Sequence, residues 1–239
     1  MRTCIIPVLI FVFSMSLFPH AGAQQTAPNK TDEAGRKQGA WCKVDSAGRK
    51  IYEGQFRDNI PVDTFRYYYP DGKIKTISVF AEKGHKVKSE SFYKNGKSMA
   101  KGIYRDEKRD STWRFFMEYD GSLASEETYT KGVKNGAERI WFPGGTVVSE
   151  SITWKDNIRD GPWQTWYSDG RIKMKGAYRN GEKSGPFVFY YDDDNKVMMT
   201  GEYLEGHMHG TWLYYSDKGE VVRTEKYDKG ILLDRTPKE

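Results

Sequence analysis

A chain of 239 residues is long enough for one large domain or one array of repeats. Its formal charge of +5 is a mild bias over that length and no nucleic-acid footprint, and two cysteines with four histidines are few ligands for a metal. Aromatic residues make up 15% of the chain while aliphatic ones are scarce, a balance that suits β-strands better than a helical bundle.

In chain order, the first element has the form of a secretory signal. Arg2 precedes an uncharged apolar run from Cys4 to Phe18, then Pro19, His20 and the small-residue stretch Ala21-Gly22-Ala23. A membrane-spanning helix needs about 20 apolar residues, and this run is shorter. Residues 1–23 are therefore expected to be removed near Ala23-Gln24. The mature chain would be secreted or held in the periplasm or cell envelope, without a transmembrane span. Removal of Cys4 leaves Cys42 alone, so no intramolecular disulfide is expected. Residues 24–38 are polar and unpatterned and read as a flexible leader, and 231–239 as a tail.

Residues 39–230 repeat. Trp41, Phe65, Trp113, Trp163, Phe187 and Trp212 fall in one column, with Ser89 and Glu138 filling its gaps. Three residues on runs a second column: Val44, Tyr68, Phe92, Phe116, Trp141, Trp166, Tyr190 and Tyr215. A third column holds Phe56, Phe80, Tyr104, Tyr129, Trp154, Tyr178, Tyr203 and Tyr227. Successive members stand 24 or 25 residues apart, the mark of a repeat architecture. Asn95-Gly96, Asp120-Gly121, Gly144-Gly145 and Asp169-Gly170 sit between short apolar runs and predict two-residue hairpin turns. The reading is all-β: about eight hairpins of 24–25 residues in an elongated, twisted antiparallel sheet.

The stretch "GHMHGTW" at 206–212 raises the question of metal. His207 and His209 align with Glu182 and Ser184 of the preceding unit, which places them in the turn linking two repeats. A zinc site needs three or four ligands, and no other His or Cys has a matching place.

The pattern Tyr203-x-x-Gly206-x-x-x-Gly210, repeated at Tyr178, Gly181, Gly185 and at Tyr129, Gly132, Gly136, resembles MORN-type repeats in their bacterial variant form. The early units depart from it, with Asn59 and Asp63, then Glu107 and Ser111, in place of the paired glycines. The third unit is the most degenerate. The resemblance implies hairpins laid side by side and a scaffold or binding surface. Some bacterial members are labelled YwqK-type antitoxins, a label that fits poorly with a secretory signal.

Alternation along the sixth unit puts Trp163, Thr165 and Tyr167 on one face and Gln164 and Trp166 on the other. With a two-residue turn at Asp169-Gly170, Tyr167 would face Ile172 and Trp166 would face Lys173. Both faces then carry apolar rows. The second has no helix to cover it, which makes Tyr68, Phe92, Phe116, Trp141, Trp166, Tyr190 and Tyr215 the candidate binding row. Stems of Lys, Arg and Glu are the alternative cover. No catalytic motif, cofactor site or metal site emerges, and Asp192-Asp193-Asp194 reads as a solvated turn. The function expected is a non-catalytic scaffold that binds a protein or itself through this row. A glycan or cell-wall module and an antitoxin or immunity-like protein are the alternatives.

Overall fold

The computed structural model describes residues 28–193 and 195–237. The expected signal peptide and its cleavage point lie outside the described residues, as does Asp194. Strands make up 67% of the structure, and no α-helix occurs among the described residues. Eight hairpins follow one another. The first four are Lys37–Val44 with Lys50–Arg57, Ile60–Tyr68 with Ile74–Ala81, Lys86–Phe92 with Ser98–Arg105, and Lys108–Phe116 with Leu123–Thr130. The next four are Val133–Trp141 with Val148–Lys155, Ile158–Trp166 with Ile172–Arg179, Gly185–Tyr190 with Val197–Leu204, and His207–Tyr215 with Val221–Asp228. Each strand pairs antiparallel with the next in sequence, and the sheet does not close into a barrel.

The two kinds of turn differ, and not as the sequence suggested. Within a unit the loop has three residues in five of the hairpins, and four in those closed by Met117 with Ser122, Phe142 with Val147 and Tyr191 with Lys196. The Tyr167 N–H donates to the Arg171 carbonyl (2.8 Å), and the Gly170 N–H donates to the Tyr167 carbonyl (3.0 Å). Gly170 sits at φ +90°, where a side chain would be strained. The Asp169 carboxylate accepts the Arg171 N–H (2.9 Å) and fixes the bend. Between units the turn has two residues, both left-handed, as at Asn180 (φ 50°) and Gly181 (φ 89°). Asp58-Asn59, Asp106-Glu107 and Asp156-Asn157 adopt the same form without glycine. Asp63 (φ 58°) and Ser111 (φ 60°) likewise keep the left-handed backbone of the paired glycines they replace. The degenerate units thus conserve conformation where they lose residue type. Only the third unit is entered differently, through a single 3-10 turn at Glu82–Gly84.

The first and third columns share one face and interlock. Phe65 packs edge-on against Phe56 and Phe80 at 5.1 Å each, and Tyr203 against Phe187 (4.6 Å) and Trp212 (5.3 Å). Such edge-to-face pairs suit the ring quadrupoles. Phe65, Trp113, Ile152, Met174, Phe187 and Trp212 are buried although the described residues form a single layer. Glycine makes this possible. A methyl built on Gly54, Gly102, Gly176 or Gly201 would fall inside the ring of Phe65, Trp113, Phe187 or Trp212, so each ring lies flat on bare backbone. Where the first column loses its ring, the facing residue changes with it: Ser89 pairs with Ser78, and Glu138 with Glu127.

The array also runs beyond the limits expected from sequence. Lys30–Thr31 pairs with Lys37 and Gln38, inside the stretch read as a leader. The Asp32 carboxylate closes this first turn by accepting the N–H groups of Ala34 and Arg36. Ile231–Pro237, read as a tail, is a strand paired with Val221–Asp228.

Candidate binding surface

The second column acquires its geometry from a recurrent irregularity. In every unit the strand register shifts immediately before the second-column residue, as between Thr165 and Trp166 and between Ile140 and Trp141. The loop, longer than a two-residue turn in every unit, supplies the extra residue that forces this bulge. Trp166 is consequently opposite Ile172 and not Lys173, a correction to the register expected from a two-residue turn. Tyr68, Phe92, Phe116, Trp141, Tyr190 and Tyr215 face Ile74, Ser98, Leu123, Val148, Val197 and Val221. All seven residues of the row are half-buried.

The row lies on the face opposite the interlocked rings, beside side chains that alternate outward from the glycine column. Lys50, Lys101 and Lys175 stand over the rings of Tyr68 (5.2 Å), Phe116 (4.9 Å) and Tyr190 (5.6 Å). The Tyr68 hydroxyl donates to Glu53. The Lys50 ammonium and then the Tyr68 hydroxyl hold the Glu53 carboxyl below its ordinary pKa, while burial and Glu53 raise that of Tyr68. Lysine cover is thus real at three positions. No cation stands over Phe92, Trp141, Trp166 or Tyr215 among the described residues, and Trp141 and Trp166 are the two of these that are adjacent in the row.

A further column, missed in the sequence, holds the row straight. Tyr69 donates its hydroxyl to the Phe92 carbonyl (2.7 Å), Tyr93 to Phe116 (2.9 Å), Tyr167 to Tyr190 (2.7 Å) and Tyr191 to Tyr215 (2.5 Å). Each tyrosine follows a second-column residue directly and clamps the backbone of the next one. Its recurrence at the 24–25 spacing was visible in the sequence, but its role depends on register.

His207 and His209 are not in a turn. They occupy the strand His207–Tyr215 and pair with Leu204 and Glu202, because the turn is confined to Glu205-Gly206. His209 Nδ1 lies 3.4 Å from the Asp228 carboxylate. No group of three His, Cys, Asp or Glu side chains among the described residues could hold a metal ion. Exchanging both histidines for serine is expected to change stability by no more than about 0.5 kcal/mol, the usual effect of surface substitutions. Urea melts together with zinc analysis of the wild type test this, and stoichiometric zinc lost in the double variant would contradict it.

Cys42 is a half-buried free thiol in the first hairpin, and its N–H donates to the Asn29 side chain (2.8 Å). Asp192 lies 3.6 Å from Arg171 of the neighbouring loop.

Two segments, 64–81 and 159–180, match the family model of the MORN repeat variant. The matches identify the repeat and not the antitoxin-labelled subfamily. No curated protein matches the chain. A solved structure described as "Crystal Structure of TcdB2-TccC3-Cdc42" aligns over 83% of this chain at 13% identity with a TM-score of 0.19. This chain spans 16% of its length, and at that TM-score the likeness carries no argument.

Proposed function

We propose that this chain, a MORN-type repeat protein, works outside the cytoplasm as a non-catalytic scaffold that binds a protein partner along the second-column row. The observation that carries the reading is the recurrent bulge. It brings seven large apolar residues to the same place in successive hairpins, on a face over which no further layer packs among the described residues. Neighbouring strands lie about 4.8 Å apart, so each hairpin advances the row by about 10 Å, and seven members form a long, narrow strip. Strips of that kind suit an extended protein surface or a second copy of the chain. Aromatic anchors near the centre of an interface contribute most of its energy, which singles out Trp141 and Trp166.

The test is the double variant Trp141→Ser/Trp166→Ser. Partner capture from an envelope fraction, or self-association by sedimentation, should be lost while the melting curve moves less than it does for Trp212→Ala. Little salt dependence is expected of an apolar row. If the double variant unfolds, and single lysine changes abolish binding in a folded protein, the row is core and the reading fails.

A further inference from the structure

The opposite face carries a second periodic feature at its connector edge. Across each two-residue turn, one third-column ring faces one residue of the following strand: Tyr104 faces Arg109, Tyr129 faces Lys134, Trp154 faces Arg159 and Tyr178 faces Lys183. Each cation then reaches over the third-column ring of the next unit. Arg109 lies over Tyr129 (5.4 Å), Lys134 over Trp154 (5.0 Å), Arg159 over Tyr178 (5.4 Å) and Lys183 over Tyr203 (5.0 Å). Ring and cation alternate through four consecutive units. Pro61 and Val87 end the ladder on one side and Met208 on the other, each facing its own third-column ring. Lys37 repeats the arrangement in isolation over Trp41 and Phe56.

These cations are unequally neutralised. Lys134 is consumed internally, bridging Glu138 (2.9 Å) and Glu127 (3.3 Å). Burial opposes its charge, but the two carboxylates prevail and raise its pKa. Arg109, Arg159 and Lys183 form no ion pair among the described residues. Arg109 and Arg159 donate to the hydroxyls of Tyr129 (3.1 Å) and Tyr178 (3.3 Å). Ring contacts hold the three in fixed positions while leaving their charge available. One hairpin advances about 10 Å, so Arg159 and Lys183 are one step apart and Arg109 two steps further back.

We infer that this ring-and-cation ladder is a binding site for a linear acidic polysaccharide, one carrying a carboxylate on its sugar residues. A step of about 10 Å is close to the length of one disaccharide, so every second sugar carboxylate would meet a cation. Phosphates along a nucleic-acid strand are spaced more closely and would match the cations poorly. A sugar hydroxyl would find an acceptor in Glu150, which also accepts the Trp163 indole N–H (2.7 Å). The site lies on the other face from the second-column row, so the two readings stand or fall separately.

The experiment is titration of the mature protein with a defined oligogalacturonate by calorimetry at two salt concentrations. Binding that weakens with salt is expected, with a loss of tenfold or more in Arg159→Gln/Lys183→Gln. Arg159→Lys/Lys183→Arg should bind as the wild type does, which guards against a mere folding defect. The proposal is overturned if oligogalacturonate does not bind, if a neutral cello-oligosaccharide binds equally well, or if polyglutamate or oligothymidylate binds as tightly. It is overturned too if the glutamine double variant binds like the wild type.

Discussion

Alanine at Gly201 should destabilise the protein by about 1–3 kcal/mol, as overpacking usually does, and alanine at Trp212 by about 3–5 kcal/mol. Together they should cost much less than the sum. The Trp212 indole is fully buried and lies flat against the backbone at Gly201, so a methyl at 201 has no room while the ring is present. Once the ring is gone, the same methyl occupies vacated space. Strong coupling of this kind is what a double-mutant cycle isolates, and urea melts of the four proteins measure it. The same should hold for Gly176 with Phe187, one unit earlier. Trp41→Ala should cost less than Trp212→Ala, because Trp41 is only half-buried and has its partners at one end of the array. Additive costs at 201 and 212 would mean that the ring shifts freely and that the glycine is not there to admit it.

The periodicity of the fold was legible because side-chain identity recurs at 24–25 residues in three columns, and burial of Phe65, Trp113, Phe187 and Trp212 in the first column follows from their aromatic character. Loop length was not legible. A glycine that ends a three-residue loop, as Gly170 does, looks in sequence like the second residue of a two-residue turn, and the difference of one residue moved Trp166 from Lys173 to Ile172. Conversely, Asp58-Asn59 and Asp106-Glu107 form tight left-handed turns with no glycine to announce them. The shortness of those connector turns is also why His207 and His209 fall in a strand. The complementarity of Gly102 with Trp113, or of Ser78 with Ser89, exists only between strands and requires the register before it can be read. The ends were misjudged because a polar strand such as Lys30–Thr31 has no apolar alternation and is held by the Asp32 turn. Of the candidate row, the sequence supplied the members, and the bulge that aligns them came only with the structure.

Acid should unfold the eighth unit first, through Glu225. This carboxylate is 2% exposed, directly opposite Trp212, in the place that Gly176 and Gly201 hold in the two preceding units. It accepts hydrogen bonds from the Tyr214 hydroxyl (2.6 Å), the Tyr227 hydroxyl (2.8 Å) and Arg235 Nε (2.6 Å), and Arg223 Nε lies 3.3 Å away. Burial alone would raise its pKa, but these donors outweigh burial and hold it below the ordinary glutamate value of 4.5. A folded-state pKa below the unfolded one means that the stabilisation is complete above about 4.5 and is lost as the pH falls through the folded value. Glu225→Gln removes the charge and leaves two guanidinium groups facing a neutral amide. Breaking a buried charged cluster costs about 3–5 kcal/mol. The low end applies here, since Arg223 and Arg235 are 42% and 57% exposed and water can compensate them. Urea midpoints measured from neutral pH down to pH 3 should therefore converge for wild type and Glu225→Gln as acid is added. Hydrogen exchange should show the loss concentrated in residues 207–237 and not in the first hairpin. Parallel pH profiles for the two proteins would show instead that Glu225 contributes packing and no charge-dependent stability.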